Sequence, residues 1–111
     1  MTKILGIDPG SIKTGYGIIE SKGNHTRHIE NGVIKVKGET LAEKLKIINI
    51  QITAIIKKFQ PDEIAIEKVF MHRNADSALK LGQARGAAIT ACAMNEIALF
   101  EYSANQVKQA C

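Results

Sequence analysis

The chain has 111 residues, of which 45% are hydrophobic and 5% aromatic, so one globular domain with an aliphatic core is expected. The 15 basic residues exceed the 11 acidic ones by four, and this net charge of +4 favours an anionic partner such as a nucleic acid. No apolar run reaches the ~18 residues of a membrane helix, and the first residues lack a secretory pattern. The two cysteines, Cys92 and Cys111, show no disulfide or metal spacing, so a cytoplasmic protein with reduced thiols is predicted.

The first third of the chain is predicted to form three β-strands joined by short links. The apolar run KILGID ends at Pro9-Gly10, and TGYGIIES carries glycines that limit side-chain bulk near its start. The segment HTRHIENGVIKVKG alternates most clearly over residues 33–37, and Asn31-Gly32 in its middle is expected to form a turn or a bulge. Three strands with short links predict an antiparallel meander.

The remainder of the chain alternates helices and strands. Apolar residues at helical spacing predict a helix in TLAEKLKIINIQITAIIKKFQP, with Thr40 and Glu43 as a capping box and Pro61 at its end. A strand is predicted in DEIAIE, a helix in NADSALKLGQARGAAITACAMN, a strand in IALFEYS and the start of a helix in ANQVKQAC. The order βββαβαβ predicts an α/β domain over residues 1–111, with a mixed five-stranded sheet flanked by helices, as in the ribonuclease H-like fold.

Two acidic residues each end an apolar strand. Asp8 follows ILGI and Glu67 follows EIAI, so their carboxylates lie side by side if the two strands are parallel neighbours. Adjacent carboxylates repel when both are ionised, and Mg²⁺, for which Mn²⁺ can substitute, relieves that repulsion. The nearby glycines leave room for a phosphate backbone. The alternative is a turn aspartate beside an unrelated surface glutamate, and the spacing alone leaves both interpretations open.

Three segments resemble the RuvC family of bacterial Holliday junction resolvases: ILGIDPGSIKTGYGII, IAIEKVFMHRNADSALKLGQARGAA and FEYSANQVKQ. The resemblance implies a Mg²⁺-dependent endonuclease that resolves four-way DNA junctions in recombination and repair by two-metal phosphodiester hydrolysis. It implies a homodimer that works with the RuvA and RuvB branch-migration proteins. It further implies that Asp8 and Glu67 are catalytic metal ligands, that Phe70 contacts DNA beside them, and that Lys108 takes part in junction binding.

The sequence departs from the family pattern after its last predicted strand. In the family the remaining catalytic acids lie on a later helix, whereas no Asp or Glu follows Glu101 here. We therefore expect a C-terminally incomplete nuclease domain, with the last helices missing, that binds junctions but cuts them poorly. Without the resemblance, Phe70 is equally consistent with a core residue and Lys108 with a helix-surface lysine.

Two other functions fit parts of the sequence. The segment GIDPGSIKTGYG also looks like the first phosphate loop of the actin and sugar-kinase superfamily, which predicts an ATP-binding domain. A non-catalytic junction-binding module is the second alternative. Ala78, Gly82 and Gly86, called here the small-residue stripe, are consistent either with close packing inside the chain or with the dimer contact that the resemblance implies.

Overall fold

The computed structural model describes residues 1–68 and 75–102, which form a five-stranded sheet and two helices. The elements in chain order are β1 (Thr2–Asp8), β2 (Lys13–Lys22), β3 (His25–Lys35), α1 (Leu41–Phe59), β4 (Glu63–Glu67), α2 (Ala75–Met94) and β5 (Ala98–Tyr102). The predicted order βββαβαβ is confirmed, while the helix start predicted in ANQVKQAC lies outside the described residues. Neither described helix is long and apolar enough to cross a membrane.

The sheet has the strand order β3-β2-β1-β4-β5. The first three strands form the predicted antiparallel meander, and β4 pairs in parallel with both β1 and β5. Parallel neighbours cannot be joined by a tight turn, so the chain passes through α1 before β4 and through α2 before β5. The mixed sheet of the ribonuclease H-like fold is therefore confirmed.

Both helices contribute to one core on the same face of the sheet, called here the helix face. Leu5 and Ile7 of β1 and Ile64 and Ile66 of β4 alternate along their strands and are buried on this face. The helices add the buried residues Ile48, Ile52, Ile55, Ile56, Ala84, Ala88, Ala91 and Cys92 to the same cluster. The opposite face of the sheet lies away from this core.

Three hydrogen bonds attach the start of β1 to the segment that leads from the end of α1 into β4. The backbone N–H of Lys3 donates to the Asp62 carboxylate at 2.8 Å, and the N–H of Asp62 donates to the Lys3 carbonyl at 2.8 Å. The Lys3 ammonium donates to the carbonyl of Phe59, the last residue of α1, at 3.0 Å. These bonds help to fix the register in which β4 enters the sheet.

The helix α1 begins and ends as the sequence predicts. The N–H of Glu43 donates to the Thr40 hydroxyl at 3.2 Å, and the Glu43 carboxylate accepts from the Thr40 N–H at 3.4 Å. Both halves of the capping box are therefore present. At the other end, Gln60 adopts a left-handed conformation with φ 48°, and its N–H donates to the Ile56 carbonyl at 2.8 Å, just before Pro61.

The prediction of a turn or bulge at Asn31-Gly32 is wrong. Both residues continue the regular antiparallel pairing, with Gly32 opposite Tyr16 and Asn31 opposite Gly17. A Cβ at Gly32 would lie 2.6–2.8 Å from atoms of the Tyr16 ring. The glycine is thus explained by the tyrosine that crosses it on the neighbouring strand, not by a change of chain direction.

A register shift between β2 and β3 occurs a few residues earlier. Ile18 pairs with Glu30, while Ile19 pairs with His28, so β3 has one extra residue, Ile29, at this point. An inserted residue in one strand is a β-bulge, which bends the strand and increases its twist. The sequence carries no glycine or proline at this position to indicate it.

Cys92 lies in the core, as the alanine-rich helical pattern predicts. Its side chain is fully buried among the residues of the helix face. Burial disfavours the thiolate and raises the pKa of the thiol from 9.0 to about 11. The thiol therefore stays protonated near neutral pH and behaves as a small apolar side chain.

The capping box gives a direct test of how α1 is stabilised. Thr40→Ala removes the hydroxyl that accepts from Glu43, and we expect the free energy of unfolding in urea to fall by about 1 kcal/mol. Thr40→Ser keeps the hydroxyl and should stay close to the wild-type chain. Equal losses in the two variants would show that the hydroxyl does not stabilise the helix.

Candidate active site

Asp8 and Glu67 lie at the carboxyl ends of β1 and β4, two neighbouring parallel strands. Ile7 is paired with Ile66, so the next residue on each strand lies across an interstrand gap of about 4.8 Å. Because both isoleucines face the core, the two acidic side chains point to the opposite face of the sheet. The condition for adjacent carboxylates, that the two strands are parallel neighbours, is met, and metal binding at this point stays a prediction.

The two acidic residues line a groove of about 530 Å³ on the face away from the helices. Gly6, Gly15, Gly17 and Ala65 form its floor beside the acids. The remaining lining residues are Ile4, Ile7, Tyr16, Ile19, His28, Asn31, Gly32 and Tyr102. This arrangement, called here the groove, combines two carboxylates with a floor of minimal bulk, so a phosphodiester backbone can approach the acids closely.

The environments of the two carboxylates differ. Asp8 is exposed at the carboxyl end of the central strand β1, whereas Glu67 is half-buried. The backbone carbonyl of Glu67 accepts a hydrogen bond of 3.4 Å from Nε of Arg85, which reaches it from α2. The position of the Glu67 backbone is thus linked to the helix on the other face of the sheet.

Glu101 of β5 does not join this pair. It is paired with Ile66, whose side chain faces the core, so Glu101 lies on the helix face and away from the groove. Its carboxylate forms an ion pair and hydrogen bond with the Arg85 guanidinium. That hydrogen bond, and then the charge of Arg85, lower the pKa of the Glu101 carboxyl from its usual value.

The turn that follows Asp8 is fixed by a buried threonine. The Thr14 hydroxyl, which is fully buried, accepts from the Gly10 N–H and donates to the Gly10 carbonyl, both at 3.2 Å. A Cβ at Gly10 would lie 2.2 Å from the Lys13 carbonyl oxygen, so the turn requires glycine at this position. The sequence indicates a turn at Pro9-Gly10 but not the side chain that closes it.

The donor set fits one hard divalent cation. Within residues 1–68 and 75–102, no group of three or more His, Cys, Asp or Glu side chains is placed to hold a metal ion. Asp8 and Glu67 therefore supply two carboxylates, and Mg²⁺ commonly uses one or two protein carboxylates together with water and phosphate oxygens. The other two predicted site residues, Phe70 and Lys108, lie outside the described residues.

Sequence reasoning missed Arg85 and Thr14 as residues that support the two acids. Thr14 lies six residues from Asp8, whereas Arg85 lies 18 residues from Glu67, on another element. The only sequence signal for either is a polar residue within an otherwise small or apolar stretch. Their contacts follow from strand register and helix placement, which the sequence pattern does not specify.

The Thr14 hydroxyl offers a test of the turn after Asp8. Thr14→Val leaves the Gly10 N–H without its acceptor, so we expect that amide to exchange with solvent faster and the free energy of unfolding to fall by about 1–3 kcal/mol. Thr14→Ser keeps the hydroxyl and should preserve the protection of the Gly10 amide. An unchanged exchange rate at Gly10 in Thr14→Val would contradict this account.

Comparison with known sequences assigns this chain to a family. The family model described as crossover junction endodeoxyribonuclease RuvC matches residues 4–111. The protein of that name from Hahella chejuensis is 57% identical over 109 residues, covering 98% of this chain and 63% of the relative. That from Psychromonas ingrahamii is 56% identical over 110 residues, covering 99% of this chain and 64% of the relative. The chain thus spans less than two thirds of the length of these relatives.

Comparison with solved structures agrees with the sequence matches. The structure of T. thermophilus RuvC in complex with a Holliday junction substrate superposes with a TM-score of 0.87 at 28% identity. The match covers 99% of this chain and 69% of the T. thermophilus chain. From the family model, the relatives and this superposition, the chain belongs to the RuvC family of crossover junction endodeoxyribonucleases.

Proposed function

We propose that this chain acts on four-way DNA junctions as a metal-dependent endonuclease, with Asp8 and Glu67 as catalytic metal ligands. The observation that carries the proposal is the pair of carboxylates at the ends of neighbouring parallel strands, beside a groove with a glycine floor. Membership of a family named for junction endonucleases favours this function over ATP binding and over junction binding without cleavage. The T. thermophilus relative, which is in complex with a Holliday junction, supports the same substrate class.

The chemistry of the proposed reaction is phosphodiester hydrolysis. A bound Mg²⁺ ion supplies Lewis-acid stabilisation at the scissile phosphate. Asp8 and Glu67 would hold that ion, and the glycines of the groove would admit the phosphate backbone without steric conflict. The excess of basic over acidic residues attracts the DNA. Two carboxylates suffice for one ion, so we expect residues 1–111 to bind metal and junctions, and to cut slowly unless further acidic ligands complete a second site.

Two further residues are proposed to contact DNA. Phe70 follows Glu67 by three residues, and an aromatic ring there can stack on an unpaired base, a contact worth about 1–3 kcal/mol per base. Lys108 supplies a positive charge for a phosphate. We also propose RuvA and RuvB as partners in the cell, by resemblance to the family.

A homodimer is proposed to form along the small-residue stripe of α2. The buried face of this helix includes Ala84 and Ala88, whereas Gly82 and Gly86 are exposed, and a Cβ at either glycine would meet nothing within 4 Å. Packing among the described residues therefore leaves most of the stripe uncovered. Leu79 beside it is 60% exposed, which adds apolar area that a second copy can bury.

The two carboxylates provide the test of the metal site. Asp8→Asn and Glu67→Gln each remove a charged oxygen ligand, so we expect the Mn²⁺ dissociation constant, measured by calorimetry, to rise by at least about tenfold in each variant. Glu101→Gln is the matched control, because this carboxylate lies on the other face of the sheet and should leave Mn²⁺ affinity unchanged. If Asp8→Asn and Glu67→Gln both bind Mn²⁺ with wild-type affinity, these two residues are not the metal ligands.

The same proteins distinguish the proposed function from its alternatives. We expect the wild-type chain to bind a labelled four-way junction in preference to linear duplex, with affinity that falls as salt rises. Cleavage of the junction should require Mg²⁺ or Mn²⁺ and both carboxylates. Binding without any metal-dependent cleavage, even at long times, would support a junction-binding module, and affinity for ATP without affinity for junctions would support an ATP-binding domain.

The dimer proposal has its own test. Gly86→Leu places a large side chain on the stripe, so we expect the mass measured by light scattering to shift towards monomer. Lys80→Leu is the control, since position 80 lies on a different side of the helix at 3.6 residues per turn and its side chain is also exposed. A wild-type chain that is already monomeric at high concentration would refute the proposed contact.

A further inference from the structure

Arg85 connects three elements behind the groove. Its side chain extends from α2 and is only 20% exposed. Nε donates to the backbone carbonyl of Glu67 at 3.4 Å, while Nη2 pairs with the Glu101 carboxylate on β5. One guanidinium therefore contacts the last residue of β4 and the neighbouring edge strand at the same time.

The two contacts of Arg85 have different consequences for the groove. Glu101 lies on the helix face, so its carboxylate balances the charge of Arg85 without entering the groove. The Glu67 carbonyl, in contrast, belongs to the residue whose own carboxylate lines the groove. A guanidinium can serve both acceptors because it is planar and has several donors in fixed directions, whereas an ammonium is a single compact donor group.

The end of β4 is also held by β5, because Glu67 is paired with Tyr102. Lys68, the next residue, donates its N–H to the Tyr102 carbonyl at 2.6 Å, which extends the pairing with β5 by one position. On the other side, Ile66 of β4 lies opposite Ile7 of β1. The contact from Arg85 thus adds a restraint from α2 on the Glu67 backbone to the restraints that come from the sheet.

We propose that Arg85 is a positioning residue for the metal site, acting through its contact with the Glu67 carbonyl. The proposal rests on the function proposed above, in which Glu67 is a metal ligand. A ligand carboxylate must be held in place before the ion arrives, and the groups that hold such ligands commonly change metal affinity 10–100-fold when they are removed. Arg85 would then contribute to metal binding from the opposite face of the sheet.

The competing explanation is a structural ion pair between α2 and β5. A partly exposed pair of this kind contributes little to stability, and its loss would act equally through either partner. The two explanations differ in what they predict for Glu101. A structural pair is lost in Arg85→Met and in Glu101→Gln alike, whereas the contact with Glu67 is lost only when the arginine is replaced.

The test measures two properties of Arg85→Met, Arg85→Lys and Glu101→Gln in the 111-residue chain. We expect the Mn²⁺ dissociation constant to rise by about tenfold in Arg85→Met, by less in Arg85→Lys, and by less than about twofold in Glu101→Gln. The amide of Lys68 should exchange with solvent faster in Arg85→Met than in Glu101→Gln, because the end of β4 then loses its restraint from α2. Exchange is measured without metal, so it reports on Arg85 alone.

The outcomes separate this inference from the function on which it rests. Wild-type Mn²⁺ affinity in Arg85→Met, with weakened affinity in Asp8→Asn, would overturn the role of Arg85 and leave the metal site intact. Equal changes in Arg85→Met and Glu101→Gln would also overturn it in favour of the structural ion pair. If Asp8→Asn and Glu67→Gln retain wild-type affinity, the proposed metal site fails, and the exchange at Lys68 still decides whether Arg85 holds this strand end. Should Arg85→Met not fold, the comparison of Arg85→Lys with Glu101→Gln decides in the same way.

Discussion

The parallel pairing of β1 with β4 is the constraint on which the rest of the structure depends. The strands lie far apart in the chain, and α1 must cross the sheet between them and bury its apolar side there. Their register pairs Ile7 with Ile66 and is supported at the other end by the exchange of hydrogen bonds between Lys3 and Asp62. A slip of one residue in either strand would turn its buried side chains away from the core, so the hydrophobic effect holds the register.

That register also places the apolar core on one face of the sheet and the two acids on the other. Side chains alternate along a strand, so burying Ile7 and Ile66 on the helix face places the next residue of each strand, Asp8 and Glu67, on the other face. The alignment of the two strands places the acids at neighbouring strand ends. The apolar core and the candidate metal site are two results of one alignment, which explains why the acids follow isoleucines at the ends of these strands.

The same alternation gives two acidic residues on adjacent strands different environments. Glu67 lies at the groove, whereas Glu101 is paired with the residue before it and lies against Arg85 on the helix face. Arg85 lowers the pKa of the Glu101 carboxyl and keeps it ionised. An ionised Glu101 matches the charge of the guanidinium, which is thereby able to contact the Glu67 backbone without leaving a cation unpaired.

The sequence by itself placed both acids at strand ends but left open whether those two strands are parallel neighbours. It determined the order of elements, the capping box of α1 and the family. These follow from local periodicity, capping chemistry and short motifs. Only the tertiary structure decided that Gly32 accommodates the Tyr16 ring, that the bulge lies at Ile29 and that Arg85 reaches the Glu67 carbonyl. Each of these depends on which residues of separate elements lie opposite one another, and that register is set by the packing of the whole core, because many apolar contacts must be satisfied together.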